Sequence, residues 1–499
     1  MTRRCLAFAV WLVLLSTILP EGNARRRNWY ESGELVENTD AKVLILGAGA
    51  AGLSAAKTLY DAGFKHITII EATDRIGGRV KNTELAGYPV ELGAMWVYGK
   101  GSNPVYRMTR RYGISTIYDN TDWTVRDVEG RNVTARADNL YDKVDSIIKE
   151  ISQFSKTYEQ DYSLAGGLRY FDYRTNTDIG VAVEGTILDF ETGVPSKAHS
   201  AKYLNMIEGF EDFGNNELLI CNDRRGFVSM LEIMSEEVLA SADTQLNLDT
   251  VVTDIKYDSD SVRVDTSDGR VFDGDYAITT FSLGVLQKDK ISFRPSLPFA
   301  KRFAIDTFGF VSFSHIFLKF DYGFWDDTTY VILATTIRGR NSFFLNMNVV
   351  YPGSNILLLS LLDVSAEWVE RVGEGEVIGN IMETLRKFYP DQYVDYPVDY
   401  VFSRWNFDPF YLGAWSYWPP NFTLEDMEQL IAPVGHLYFA GEYAHELHYG
   451  FVHGAYLSGV RAAEDLMTDW LENHKSEKEC YEQIVNGTLI VTATIMEMC

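Results

Sequence analysis

Gly47-Ala48-Gly49-Ala50-Ala51-Gly52 and, nineteen positions after its last glycine, Glu71 have the types and spacing to hold a dinucleotide. The three glycines have separate tasks. Gly47 permits a tight turn, Gly49 lets the backbone approach a pyrophosphate, and Gly52 lets a helix pack closely on a strand, while the helix amides face the phosphate charge. Glu71 is placed to accept the hydroxyls of an adenosine ribose. A second glycine loop, Arg75-Ile76-Gly77-Gly78-Arg79, nominates Gly78 and Arg79 as further phosphate contacts, and Gly441-Glu442 offers a carboxylate for a ribityl chain. A nicotinamide cofactor needs neither addition. FAD needs both, and is the expected cofactor.

The elements around these residues follow from hydrophobic pattern. Lys42 to Leu46 is a continuous apolar run, a small-residue helix is predicted over 50–61 with Gly63 as its stop, and Ile67 to Ile70 ends at Glu71. That is a βαβ unit whose strands lack polar alternation, as parallel strands covered on both faces do. From 113 to 210 the pattern is helical and polar. Strand signals return over 244–281 and are assigned to the first sheet, 310–363 reads as a second, antiparallel sheet, and one helix is predicted over 365–388. A buried strand over 436–440, then Gly441-Glu442 and a helix over 454–471, close the folded chain.

The expected class is α/β: an FAD-binding Rossmann-like domain with a mostly parallel sheet, plus an α+β substrate-binding domain with an antiparallel sheet. The first is assigned to 41–112, 210–295 and 425–471, the second to 113–209 and 296–424, with 472–499 as a C-terminal tail.

Lys plus Arg number 45 against 70 Asp plus Glu, a formal net charge of −25, which repels phosphate backbones and attracts cations. A nucleic-acid partner is therefore not expected. Arg3-Arg4, the apolar run Leu6 to Leu19, Pro20 and Gly22-Asn23-Ala24 read as a signal peptide over 1–24, cleaved near Ala24. The run is too short to span a bilayer, and no later segment is long enough. Secretion is expected, to the apoplast or alternatively to the vacuole, with Asn132, Asn421 and Asn486 as glycosylation acceptors. Cys221, Cys480 and Cys499 remain after cleavage, with no metal-type spacing.

The segments Gly47 to Arg79, Glu91-Leu92-Gly93-Ala94-Met95-Trp96, Thr279 to Leu286 and Leu437 to Glu442, with His453-Gly454-Ala455-Tyr456, closely resemble the FAD-dependent amine oxidases, and among them the secreted plant polyamine oxidases. The resemblance covers about 41 to 470. It implies that Val252 meets the adenine through its backbone, that Trp415 and Phe451 flank the flavin ring, and that Glu191, in Leu188-Asp189-Phe190-Glu191, meets the substrate amine. Relatives with covalent flavin carry a cysteine shortly before the ring-facing aromatic. This chain has Leu412-Gly413-Ala414-Trp415 there and no cysteine within about 60 residues, so noncovalent FAD is expected.

The activity so implied is oxidation of spermine or spermidine by molecular oxygen to an aminoaldehyde, a smaller amine and hydrogen peroxide, by a protein expected to be a monomer. Two positions depart from the family pattern. Tyr98 stands where a second tunnel glutamate is usual, and His315 where a lysine holds a water against flavin N5. Lys319 shares the His315 strand face but lies about 13 Å along it at ~3.3 Å per residue, too far to substitute. An unperturbed imidazole titrates near 6.5, so His315 is expected to show in the pH profile close to neutrality. Two alternatives stay open: a flavin oxidase of another amine, and an FAD-binding homologue with weakened catalysis.

Overall fold

The computed structural model describes residues 39–204 and 211–473. The expected leader, Cys5, Cys480, Cys499, Asn486 and the tail beyond 473 lie outside them.

Val43, Ile45 and Leu46 are fully buried and form the middle of a five-stranded parallel sheet. Its order is Leu437–Phe439, Tyr276–Thr279, Thr39–Leu46, Phe64–Ile70 and Thr244–Asn247. Thr39–Leu46 enters helix Ala50–Asp61, and the chain returns as Phe64–Ile70, the anticipated βαβ unit. The strands end together at Gly47, Glu71, Thr280 and Gly441-Glu442, which places the fingerprint turn, Glu71 and Glu442 at the carboxyl edge of one sheet.

Small residues make that edge compact. Ala50, Ala51, Gly52, Ser54, Ala55 and Ala56 are buried along one helix, against which Val452–Asn473 is laid. Gly459 is the point of closest approach: a β-carbon there would stand 2.1 Å from the Ala51 carbonyl oxygen. Ser54 Oγ also donates to Tyr456 O at 2.8 Å. The helix that follows Phe451 is thereby held against the fingerprint helix.

Strands 252–274 do not join this sheet, contrary to the sequence reading. Val252–Tyr257, Val262–Thr266, Val271–Gly274 and Ser292–Arg294 form a four-stranded sheet of their own, and only Thr244–Asn247 and Tyr276–Thr279 of that region enter the parallel one. Polar Arg263, Asp265 and Asp273 alternate with buried Val262, Val264 and Gly274, the mark of a sheet with one wet face.

The second large sheet has six strands, ordered Asp399–Phe402, Phe313–Lys319, Ile356–Leu362, Phe343–Asn346, Tyr330–Leu333 and Trp123–Arg126. It is antiparallel except that Trp123–Arg126 pairs in parallel with Tyr330–Leu333. The single helix expected over 365–388 is two, Asp363–Arg371 and Glu374–Phe388. Gly373 (φ −70°, ψ 143°) breaks them, and Glu374 and Glu376 then favour the positive end of the second helix.

Candidate active site

One large cleft runs along the carboxyl edge of the parallel sheet to the inner face of the six-stranded sheet. Its empty space, with open solvent at its mouth included, is about 1760 Å³. Gly47, Gly49, Gly78, Arg79, Glu71, Val252 and Glu442 line one part of it, and Glu191, Tyr98, His315, Trp415 and Phe451 line the other. Gly52 is not exposed to the cleft. A β-carbon on it would lie 1.9 Å from Gly47 O, so its task is close packing of helix on strand.

At the nucleotide end, the two glycine loops face each other. Gly77 N donates to Ala48 O at 2.8 Å, and a β-carbon on Gly78 would stand 3.3 Å from the Gly49 α-carbon. Gly47 (φ +120°) has the backbone that a tight turn requires. Glu71 Oε2 accepts from Ala48 N at 2.7 Å, and Oε1 accepts from Thr73 N and Thr73 Oγ1. Its carboxylate thus pins the fingerprint loop while lining the cleft.

Glu442 is more heavily committed than its sequence context indicates. Oε1 accepts from Arg79 at 2.9 Å, and Oε2 accepts from Ser416 N, Ser416 Oγ and Gly450 N. Arg79 also donates to Ala414 O at 2.7 Å. This clasp joins the second glycine loop to the segments bearing Trp415 and Phe451.

The aromatic end is built by backbone constraint. Val311 N donates to Trp415 O, and Ala414 N to Val311 O, which holds Trp415 beside Phe313 with ring centroids 4.5 Å apart. Gly193 (φ +76°) lets the chain after Glu191 pass so close that a β-carbon would fall 2.9 Å from the Trp415 ring. Phe451 meets Tyr98 edge-on at 4.9 Å. Trp415 Nε1 and His315 Nε2 are buried and have no hydrogen-bond partner among the described residues.

His315 is 1% exposed, and its Nδ1 lies 3.3 Å from Glu91 O. A carbonyl oxygen only accepts, so Nδ1 carries the proton and Nε2 is left as an acceptor. Burial pushes the imidazole pKa down to about 4. The group is neutral at physiological pH, and the limb expected near neutrality moves into the acid range. Lys319 does not line the cleft; its Nζ donates to Phe320 O.

Glu191 follows a π-helical turn, Gly185–Asp189, that delivers it into the cleft. Arg338 anchors the turn by donating to Asp189 through Nε and Nη2 and to Glu184 through Nη2. Phe190 stacks on Phe343 at 3.8 Å and meets Trp96 edge-on at 6.2 Å. Burial, with a smaller contribution from the Asp119 carboxylate, pushes the Glu191 pKa up to about 7. Among the described residues no cation or hydrogen-bond donor offsets its charge. Asp119, Tyr330 and Arg338 escaped the sequence reading; Asp119 lies in a Tyr118-Asp119-Asn120-Thr121-Asp122 stretch that reads as an ordinary turn.

Residues 50–467 match the family described as flavin containing amine oxidoreductase. The chain belongs to that family. This flavin amine oxidoreductase is 33% identical to polyamine oxidase 6 of Oryza sativa subsp. japonica over 85% of its length and 90% of the relative's. It is likewise 33% identical to polyamine oxidase 1 of Zea mays, over 88% of this chain and 92% of that one. Lysine-specific histone demethylase 2 of Homo sapiens is 30% identical, with 53% of its own length covered.

The family's cofactor is FAD, and the cleft fits it: a slot between two glycine loops, a carboxylate at a strand end, and buried orphan nitrogens on the aromatic walls. Gly47, Gly49, Gly78 and the start of helix Ala50–Asp61 would hold the pyrophosphate. Cys221, the one cysteine among the described residues, is buried and does not line the cleft. Acid precipitation of the purified protein should therefore release intact FAD into the supernatant; flavin retained in the pellet would contradict a noncovalent site.

Proposed function

We propose that this protein oxidises spermine or spermidine to an aminoaldehyde, a smaller amine and hydrogen peroxide. The observation that carries the reading is Glu191, a carboxylate in a flavin cleft with no cation among the described residues to balance it. A buried negative charge is costly unless a partner neutralises it, and a polyamine brings several ammonium groups. The 33% identity to polyamine oxidases over most of the chain supports the same substrate class.

Bound flavin supplies the acceptor for a hydride from the carbon beside nitrogen and passes the electrons to oxygen; water then hydrolyses the imine. The chain's own residues bind and orient. Trp415 and Phe451 wall the reacting end, their faces suited to a neutral amine on its way to the ring. Glu191 would take an ammonium of the amine, and Tyr98, whose burial with the nearby Glu191 and Asp119 charges holds its hydroxyl protonated, shapes the wall beside it. The His315 Nε2 lone pair would orient a water or another donor, where a lysine could only donate.

Stopped-flow reoxidation tests His315. The parent should show no limb near neutrality, and His315→Lys should reoxidise about tenfold faster, less than the ~100- to 10,000-fold that a directly positioned acid or base supplies. If His315→Ala and His315→Lys both match the parent in rate and pH profile, the residue serves packing alone.

The secreted setting belongs to the same proposal. It is supported by the Arg3-Arg4 and Leu6 to Leu19 pattern and by the exposure of Asn132 and Asn421, with the apoplast as the site and the vacuole as the alternative. In the same proposal the protein acts as a monomer. The stretches that build the parallel sheet would serve as the FAD-binding domain, and those that build the six-stranded sheet as the substrate domain. A peroxide-coupled assay over spermine, spermidine, their acetylated forms and simple monoamines tests the substrate class. Polyamines should have the highest kcat/KM; a preference for monoamines would overturn it.

A further inference from the structure

Asp119 is 8% exposed and lies behind the cleft wall, where three neutral donors hold it: Trp96 Nε1 at 3.2 Å, the Tyr330 hydroxyl, and Thr121 N at 2.9 Å. The Trp96 and Tyr98 side chains themselves line the cleft, and the charge of Asp119 reaches Tyr98, Tyr330 and Glu191. A donor bonded to a carboxylate also makes its ring richer in electrons, which strengthens the attraction of the Trp96 face for a cation.

The result is an aromatic wall with a fixed negative charge at its back, beside a second carboxylate that enters the cleft. We propose that Asp119, acting through the Trp96 and Tyr98 rings, holds a second ammonium of the substrate while Glu191 holds the first. Asp119 is then a specificity-determining residue that touches no substrate atom. It makes the site prefer amines with two or more positive charges over amines with one. The inference rests on the polyamine reading of the cleft.

The test compares holoenzyme of the parent, Asp119→Asn and Tyr330→Phe. KM for spermine should rise about tenfold in Asp119→Asn, with flavin content unchanged, while KM for a monoamine of similar length stays within about twofold. Tyr330→Phe removes one donor but keeps the charge, so its spermine KM should remain within about threefold of the parent.

A second readout is the pH profile. The titratable groups whose fields reach Glu191 are Asp119, Tyr98, Tyr330 and Tyr141; the three tyrosines stay protonated through the neutral range. Titration of Glu191 near 7 should make kcat/KM for polyamines fall on the acid side, and removing the Asp119 charge should move that fall to lower pH. Equal changes in KM for both amines, an unmoved limb, or a Tyr330→Phe effect as large as that of Asp119→Asn would overturn the inference. Calorimetric titration of the same two amines reads their preference without turnover. An inactive parent would thus count against the proposed function and leave the binding ratio to decide on Asp119.

Discussion

Gly49→Val should give a folded protein that carries almost no flavin. The three fingerprint glycines differ in what a side chain would do to them. At Gly52 a β-carbon would stand 1.9 Å from Gly47 O, and at Gly47 it would meet Thr280 Oγ1 at 2.4 Å on a backbone with φ of +120°, so substitution at either damages the fold. Gly49 is extended (φ −77°, ψ −176°), and a β-carbon there finds only the Gly78 α-carbon, at 4.0 Å. A valine is tolerated by the backbone but fills the slot between the two glycine loops. The weakened helix cap costs about 1 kcal/mol, too little to unfold a chain of this size. FAD affinity should fall at least a hundredfold, with a far-ultraviolet spectrum like that of apo parent. Reconstitution titrations and the flavin-to-protein absorbance ratio read the result directly. A yellow Gly49→Val protein with parental stoichiometry would place the pyrophosphate elsewhere.

Glu191→Gln should raise KM for polyamines by about 10- to 100-fold while flavin binding is retained, since one charge-assisted contact contributes roughly 1.5–3 kcal/mol. The pH dependence gives a sharper sign. With the carboxyl pKa at about 7, the parent loses its anion as pH falls through neutrality, so kcat/KM for polyamines should drop on the acid side. Glu191→Gln should lack that limb.

Stability changes in the opposite sense. A carboxyl raised in the fold binds more protons in the native state than in the unfolded one between about 4.5 and 7, so stability declines as pH rises through that window. Substrate-free Glu191→Gln should therefore match the parent near pH 4 and exceed it in Tm near pH 8. Kinetics and melting curves indistinguishable from the parent at both pH values would return Glu191 to a structural role.

What was legible in the sequence was mainly local. Gly47 to Glu71 encodes strand, turn, helix and strand in consecutive residues, and its apolar runs have one reading. Trp415 and Phe451 come from the family resemblance, each within a short motif with its own glycines, and both line the cleft. Strands 252–274 were misassigned because an apolar run does not say which sheet it pairs with; that depends on partners elsewhere in the chain. The 365–388 helix was merged because periodicity continues across Gly373 although the backbone does not.

Asp119 shows the same physics at the site. Its partner Tyr330 is 211 residues away in sequence, so no window of neighbours reveals the contact. The position of His315 was legible, but its acid pKa was not, because burial under Trp96, Phe313 and Phe317 is a property of the packed sheet.

The most direct measurement of the central claim is an anaerobic titration of the holoenzyme with spermine and spermidine, followed by admission of oxygen. The flavin band should bleach with a stoichiometric amount of polyamine, and oxygen should restore it with release of an equal amount of hydrogen peroxide. A flavin that stays oxidised in excess polyamine, yet bleaches with dithionite and recovers in air, would contradict polyamine oxidation by this cleft.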